Sequence, residues 1–210
     1  MSLHGLTRTA TLFAAMLGAG CSLVGGGKAP EAAALAVETG PAPAVMAEYA
    51  AALAQLQSGD EPVAGSSLQA FSAAHPELAG PLLNLALLRM REGDEAAATA
   101  LLEQAGAVCS RCAPVWNGRG VLYRQQGRFA EAEQAYLQAI ELEPGYALAW
   151  YNLAVFYDLY AQRPELALKN YEQYLSLGGD ESQAEVERWI ADLRRRVSTT
   201  PTTARAEGTT

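Results

Sequence analysis

The sequence has 210 residues, of which 50% are hydrophobic and 18% are charged, and its formal net charge is −8. This length is enough for one or two folded domains with a sizeable apolar core. An acidic surface repels phosphate backbones, so the charge balance argues against nucleic acid as a partner. Aromatic residues make up only 8%, whereas alanine dominates several long stretches. Because alanine has the highest helix propensity, this composition favours closely packed helices.

Residues 1–20 have the features of a secretory signal peptide. Arg8 gives a positive amino-terminal region, and a mostly apolar run follows from Ala10 to Ala19. That run is too short to cross a bilayer, which takes about 20 residues, so we interpret it as a targeting segment. The segment Leu17-Gly18-Ala19-Gly20-Cys21 resembles a bacterial lipobox. The resemblance implies cleavage before Cys21 and a lipid anchor on this cysteine. The alternative is an ordinary signal peptide followed by a chance cysteine.

The residues after Cys21 bear on where the anchor lies. Ser22 is not the aspartate that retains many lipoproteins at the inner membrane. The resemblance therefore implies the periplasmic face of the outer membrane, with the inner membrane as the alternative. Residues 21–44 contain a glycine triplet and three prolines but few large apolar side chains. They are expected to form a flexible tether that starts at the lipidated cysteine.

A spacing of 34 residues runs through the middle of the chain. It separates Trp116 from Trp150 and Gly93 from Gly127. Such a period is typical of repeat proteins. Within residues 113–146, apolar residues at helical spacing on either side of Gly127 predict two helices joined by a turn.

The unit 113–146 resembles the tetratricopeptide repeat. It matches the family signature at Trp116, Gly120, Tyr123, Ala132, Tyr136, Ala139 and Pro144. Arg119 stands where the family has leucine. The resemblance implies an all-α fold, a right-handed solenoid of four helical hairpins. In the same frame the repeats are 45–78, 79–112, 113–146 and 147–180, and the fourth gains one residue near Gln162.

The segment after the repeats is expected to close the solenoid. Residues 181–197 predict a capping helix, with Asp180 at its amino end. Its apolar stripe consists of Val186, Trp189, Ile190 and Leu193. A solenoid needs such a terminal element with one polar face. Residues 198–210 are polar and are expected to form a disordered tail.

After the signal segment the sequence is poor in residues that carry catalysis. His75 is the only remaining histidine, and no Ser/His/Asp set, phosphate-binding loop or metal-ligand cluster can be assembled. We therefore expect no enzymatic activity, no cofactor, no metal and no small-molecule substrate.

Cys109 and Cys112 form the one motif that suggests chemistry. Thioredoxin-like proteins carry this spacing where a strand meets a helix, and no such fold is predicted here. The pair lies where the second and third repeats join. In an oxidising compartment it is expected to form a structural disulfide. Free thiols and a thiol-redox function are the alternatives.

In tetratricopeptide-repeat proteins the first helix of each hairpin lines a concave groove that binds a peptide or helix of a partner protein. Carried over to this sequence, the groove positions are Met46, Tyr49, Leu53, Leu56, Leu83, Asn84, Leu87, Met90, Arg91, Asn117, Val121, Arg124, Gln125, Tyr151, Asn152, Val155 and Asp158. The asparagines among them are candidates for bonding a peptide backbone, although asparagine also serves as scaffold at this position. The basic clamp that some members use for carboxyl termini is mostly absent, because only Arg91 and Arg124 are available.

Taken together, these features predict a lipid-anchored periplasmic scaffold that binds other proteins. The chain resembles short tetratricopeptide lipoproteins that help to assemble type IV or Tad-type pilus machinery by delivering the outer-membrane secretin. An adaptor for peptidoglycan enzymes is one alternative. A thiol-redox protein that uses Cys109 and Cys112 is an alternative of another class.

Overall fold

The structure is a computed structural model that describes residues 41–179 and 183–199. These residues form helices and no strands, and the helices are α1 (Pro43–Gln57), α2 (Glu61–Ala74), α3 (Ala79–Glu92), α4 (Glu95–Val108), α5 (Ala113–Gln125), α6 (Phe129–Leu142), α7 (Ala147–Leu159), α8 (Pro164–Ser176) and α9 (Gln183–Thr199). The predicted all-α class is confirmed for this part of the chain. Among the described helices, none is both long and apolar enough to cross a membrane.

Several features predicted from the sequence lie outside the described residues. They are the signal segment, Cys21, most of the tether and Asp180. At the boundaries, α1 begins two residues before the first expected repeat, and α9 extends to Thr199, into the segment expected to be a tail.

The first eight helices pair in chain order into four hairpins. The first helices of the second, third and fourth hairpins begin at Ala79, Ala113 and Ala147, at steps of 34 residues. Helix α8 begins at Pro164, one residue later than the period requires. The extra residue falls in the preceding turn, where Gln162 has a φ of 52°.

The turns inside the first three hairpins depend on glycine. Gly93 and Gly127 have φ values of 80° and 71°, in the left-handed region that side chains rarely adopt. Each glycine therefore ends the first helix and lets the chain reverse. After Gly93, the side chain of Asp94 accepts a hydrogen bond from the backbone N–H of Ala97 at 3.0 Å, which caps α4.

Close helix crossing inside the third hairpin requires small residues. A Cβ on Gly120 of α5 would lie 2.5 Å from ring atoms of Tyr136 on α6, and Tyr136 is fully buried. Ala132, on the same helix as Tyr136, is also completely buried. The residues at signature positions 120, 132 and 136 are thus required by the close packing of α5 against α6.

The two signature tryptophans fix the loops between hairpins. The indole N–H of Trp116 donates to the carbonyl of Ser110 at 2.9 Å, and that of Trp150 donates to the carbonyl of Pro144 at 2.9 Å. Both rings are half-buried. In each case the acceptor lies six residues earlier, in the loop that precedes the helix. The tryptophans therefore tie each new hairpin to the end of the previous one.

Arg119, which stands where the family has leucine, is half-buried in the fold. Its guanidinium lies 4.9 Å from the ring centre of Trp116 and donates to the carbonyl of Leu102 at 3.4 Å. The guanidinium occupies the space beside Gly106, where any side chain would clash with it. The Arg119 substitution is thus accommodated by the absence of a side chain at position 106.

Helix α9 closes the carboxyl end of the fold. Its buried side chains Val186, Ile190 and Leu193 pack into the same core cluster as Tyr171 and Tyr174 of α8. Outward-facing charges such as Arg194 remain exposed. The helix thus supplies the polar end face that the sequence pattern predicts.

Candidate partner-binding groove

The first helices of the hairpins form one layer of the fold. Helix α3 contacts α5, and α5 contacts α7, while each second helix contacts the first helix of its own hairpin and that of the next. A hydrogen bond between Asn84 and the hydroxyl of Tyr49 joins α3 to α1 in the same layer. Side chains at corresponding positions of these helices therefore share one continuous surface.

One apolar row runs along this layer, and we call it the groove row. It consists of Leu53, Leu87, Val121 and Val155, one residue on each first helix at steps of 34. All four side chains are half-buried. Each rests on the core with one side and leaves the other side open.

Several predicted groove residues are instead buried between neighbouring hairpins. These residues are Tyr49, Leu56, Leu83, Asn84, Met90, Asn117 and Asn152. The structure corrects the expectation that they face a partner. The physical reason is the close approach of consecutive first helices, which covers these positions.

The buried asparagines use their amides within the fold. Asn152 donates to the amide oxygen of Asn117 at 2.9 Å, and Asn84 bonds the hydroxyl of Tyr49. Burial raises the pKa of Tyr49 to about 12, although the bond from Asn84 works in the opposite direction. These contacts satisfy buried polar groups, so the asparagines act as scaffold.

The first helices of neighbouring hairpins contact each other at one equivalent position. The chemistry of this contact differs among the pairs α1/α3, α3/α5 and α5/α7. Between α3 and α5 it is apolar: a Cβ on Gly118 would lie 2.7 Å from a methyl carbon of Leu83. In the two neighbouring interfaces the equivalent contacts are the Asn84–Tyr49 and Asn152–Asn117 hydrogen bonds. The sequence period shows that these positions correspond, but it does not show that they touch.

The remaining predicted groove residues lie on or beside the groove row. Met46 is half-buried, and Gln125 is exposed. Arg91 is exposed, and its guanidinium pairs with the carboxylate of Glu61 at 3.1 Å. Arg91 and Gln125 form a polar edge beside the apolar row, and Met46 adds an apolar side chain on α1.

At the carboxyl end, α9 contacts the predicted groove residues on α7. Arg196 pairs with Asp158 at 2.7 Å. The ring of Tyr151 lies 5.2 Å from that of Tyr174 and 6.4 Å from that of Trp189, measured between centres. Asp158 is thus ion-paired, and Tyr151 supports the packing of α8 and α9.

The roles of Trp189 and Arg196 were not predicted from the sequence. The apolar stripe of α9 predicted only that this helix packs on the fold. The partners on α7 depend on how the chain turns after the extra residue near Gln162, and no pattern in the sequence gives that geometry.

Arg124 occupies an unusual environment beside the groove row. The side chain is half-buried, and its guanidinium carbon lies 5.4 Å from the ring centre of Tyr160. Its Nε atom is buried without a hydrogen-bond partner. Within residues 41–179 and 183–199, no carboxylate forms an ion pair with Arg124.

Cys109 and Cys112 are joined by a disulfide, with their Cα atoms 5.5 Å apart. Cys109 follows the end of α4, and Cys112 precedes the start of α5. The enclosed Ser110 carbonyl accepts the hydrogen bond from Trp116. The disulfide and the tryptophan therefore hold the same inter-hairpin loop.

His75 packs against an aromatic ring and lies near one carboxylate. The His75 ring packs 4.5 Å from that of Phe71, and its Nδ1 lies 3.5 Å from the carboxylate of Glu77. No group of three or more His, Cys, Asp or Glu residues within the described ranges is arranged to hold a metal ion.

Comparison with known sequences identifies the repeat. Residues 113–146 and 135–175 each match a model of the tetratricopeptide repeat (TPR). No curated protein matches the sequence at a significant level.

Solved structures resemble the fold over most of the chain. PilF of Pseudomonas aeruginosa is 28% identical, with a TM-score of 0.63 over 74% of this chain and 69% of that one. A thermophilic TPR protein of Thermus thermophilus is 25% identical, with a TM-score of 0.60 over 74% of this chain and 80% of that one. The first TPR of Spaghetti (RPAP3), bound to an HSP90 peptide, is 19% identical, with a TM-score of 0.51 over 58% of this chain and 94% of that one. The described part of the chain therefore has the all-α tetratricopeptide-repeat fold, and its third and fourth hairpins carry the repeat sequence.

Proposed function

We propose that this chain is a scaffold that binds a partner protein along the groove row. The TPR fold is a protein-interaction module. The observation that carries the proposal is the row itself, with one half-buried aliphatic side chain on each of the four hairpins. A helix or an extended peptide that covers such a row removes apolar surface from water, which favours binding.

The surroundings of the row support the same function. Interfaces typically have an apolar centre and a polar rim. Here the rim includes the exposed side chains of Arg91 and Gln125. The groove row is also continuous over all four hairpins, so a segment of several turns can be held along it.

A matched pair of valine substitutions tests the use of the groove row. Val121→Glu places a charge in the row, whereas Val63→Glu places the same charge on α2, where Val63 is already 45% exposed. The full chain, tagged and crosslinked in cells, is purified from membranes and its partners are identified by mass spectrometry. Val121→Glu should lower partner capture at least about tenfold, or roughly 1.4 kcal/mol. If both variants capture the partner equally well, the groove row is not part of the interface.

We further propose that the scaffold is anchored through Cys21 to the periplasmic face of the outer membrane. There it would assist assembly of an envelope machine such as a type IV or Tad pilus secretin. The lipobox-like segment before Cys21 supports the anchor. The likeness to PilF supports a pilus-related role. If the crosslinked partners are peptidoglycan enzymes and no secretin is recovered, the adaptor function replaces the pilus assignment.

Fractionation of a cysteine variant tests the anchor separately. Wild-type protein should be recovered with outer membranes, and Cys21→Ser should be soluble or remain as an uncleaved precursor. Ser22→Ala leaves the cysteine in place and serves as the neighbouring control. A mature wild-type protein found only in the periplasmic wash would contradict the anchor.

A further inference from the structure

The loop between the second and third hairpins differs from the two equivalent loops. Pro76 and Pro144 stand one period before and one period after Ser110, so the outer loops contain a proline and the central loop does not. Proline fixes the backbone angle φ and thereby stiffens a loop. In the central loop the stiffening element is instead the disulfide between Cys109 and Cys112, which encloses Ser110.

The backbone hydrogen bond that closes the central loop is also longer than its equivalents. The nitrogen of Cys112 lies 3.5 Å from the carbonyl oxygen of Cys109. The equivalent bonds of the outer loops, donated by Leu78 and Tyr146, are 3.1 Å and 3.0 Å long. Because the central bond exceeds the ordinary length, it contributes little. The disulfide therefore closes a turn that a proline and a short hydrogen bond close elsewhere.

The same junction lacks the buried amide bond that joins the other neighbouring first helices. Hydrogen bonds of asparagine side chains join α1 to α3 and α5 to α7. The equivalent contact between α3 and α5 is the apolar one of Leu83 with Gly118. Arg119 adds one hydrogen bond across this junction, to the carbonyl of Leu102 at 3.4 Å. Apolar packing is non-directional, so it fixes the angle between two hairpins less strictly than short hydrogen bonds do.

The position of this junction gives it control over the groove row. Leu53 and Leu87 lie before the junction, and Val121 and Val155 lie after it. A change in the angle between the second and third hairpins therefore moves one half of the row relative to the other. A disulfide that encloses so few residues removes little entropy from the unfolded chain and adds little to global stability. Its main effect is thus on the geometry of the junction.

We propose that the disulfide between Cys109 and Cys112 is a reversible lock that holds the two halves of the groove row in alignment. This inference rests on the proposed function, because the lock acts through the groove row. When only a fraction of the molecules have the aligned row, the apparent affinity for a partner falls by that fraction. Both cysteines are half-buried, and the enclosed Ser110 and Arg111 are exposed, so the disulfide lies at the surface within reach of another thiol.

A protein or small molecule with two thiols opens the lock by exchange. One thiolate of this dithiol attacks the sulfur of Cys109 or Cys112, which breaks the disulfide and forms a mixed disulfide. The second thiol of the dithiol then displaces the cysteine. The dithiol leaves as a disulfide, and both cysteines of the chain become thiols, so two electrons and two protons have passed to the lock. The reverse exchange with a disulfide compound closes it again.

Amide hydrogen exchange of the full chain, purified in detergent and measured by mass spectrometry with and without dithiothreitol, tests the lock. Reduction should speed exchange at residues 108–116. The equivalent residues 74–82 and 142–150 are internal controls and should be unaffected, because their loops contain Pro76 and Pro144. Unchanged exchange in the other helices shows that the fold is intact. If dithiothreitol leaves the disulfide unbroken, or breaks it without a change at 108–116, the inference is overturned.

Replacement of the disulfide by proline separates the stiffness of the loop from the presence of cysteine. Cys109→Ser combined with Cys112→Ser should behave like the reduced chain. Adding Ser110→Pro to this double variant should restore slow exchange, and dithiothreitol should then have no effect. Proline fits here because Cys109 has φ −139° and ψ 90°, close to the φ −144° and ψ 87° of Glu143, which precedes Pro144.

Peptide binding tests whether the lock acts on the groove. The oxidised full chain selects from a library of random peptides, and only peptides whose binding is abolished by Val121→Glu are kept. Reduction should weaken the binding of these peptides at least about threefold, as should the double serine variant, because fewer molecules have an aligned row. Addition of Ser110→Pro to the double variant should restore the affinity of the oxidised chain.

The outcomes separate this inference from the proposed function. Selected peptides that bind the oxidised and reduced chains equally would overturn the lock and leave the groove function standing. A loss of affinity that Ser110→Pro does not restore would also overturn it, because the effect would not come from the stiffness of the loop. Failure to select any peptide that depends on Val121 would contradict the proposed function, whereas hydrogen exchange still decides whether the disulfide locks the junction.

Discussion

Asn152 donates a hydrogen bond to the amide oxygen of Asn117 at 2.9 Å, across the interface between α7 and α5. The amide of Asn117 also lies beside the hydroxyl of Tyr146, in the loop before α7, where it partly offsets the rise in that hydroxyl's pKa caused by burial. One buried amide therefore joins the third hairpin to two points of the fourth. Both positions were predicted to face a partner, so their contribution to stability distinguishes a scaffold role from a binding role.

Substitution of the two asparagines should destabilise the fold unequally. Asn117→Ala leaves the amide of Asn152 without its acceptor and removes the amide beside the hydroxyl of Tyr146, and should lower the free energy of unfolding by about 1–3 kcal/mol. Asn152→Ala leaves the amide of Asn117 beside the hydroxyl of Tyr146 and should cost about 0.5–1.5 kcal/mol. Urea denaturation measures both values. A larger loss for Asn152→Ala would contradict the described network.

The crossing of α5 and α6 should not tolerate even one added methyl group. A Cβ at Gly120 meets the buried ring of Tyr136 at 2.5 Å. Gly120→Ala should therefore lower the free energy of unfolding by about 1–3 kcal/mol through overpacking. Gly145→Ala is the matched control, because nothing lies within 4 Å of a Cβ at that position. If both variants unfold at the same urea concentration, the close crossing is not present in solution.

The sequence period predicted the positions of the helices well. Starts at Ala79, Ala113 and Ala147 follow from a step of 34 residues, and the extra residue near Gln162 accounts for the later start of α8. The period works because each hairpin repeats the same crossing and the same turn. At Gln162 one hairpin departs from the pattern, and the period no longer gives the positions of the elements that follow. The contacts of α9 were for that reason beyond sequence reasoning.

The candidate site was predicted less completely than the fold. Leu87 and Val121, two of the family positions, are half-buried and lie in the groove row. The family positions did not distinguish open positions from buried ones, because burial depends on the residue facing each position across the interface. Leu83 is covered because Gly118 opposite it has no side chain. A pairing of this kind joins residues 35 positions apart and is invisible in a single repeat.

The disulfide should matter for one loop more than for the whole fold. Replacement of both Cys109 and Cys112 by serine should lower the free energy of unfolding by about 2 kcal/mol or less, because so short a loop removes little entropy from the unfolded chain. Since Trp116 bonds the enclosed carbonyl of Ser110, the same change should alter the fluorescence of Trp116. Trp116→Phe is made in the wild type and in the double variant, and the difference in emission on each background gives the signal of Trp116. Unchanged emission from Trp116 would show that the loop keeps its shape without the disulfide.

Protein taken directly from cells should contain the disulfide. Alkylation before reduction should leave Cys109 and Cys112 unlabelled, and alkylation after reduction should label both, as measured by mass spectrometry. Full labelling before reduction would instead favour free thiols. Partial labelling that changes with the cellular redox state would favour the thiol-redox alternative.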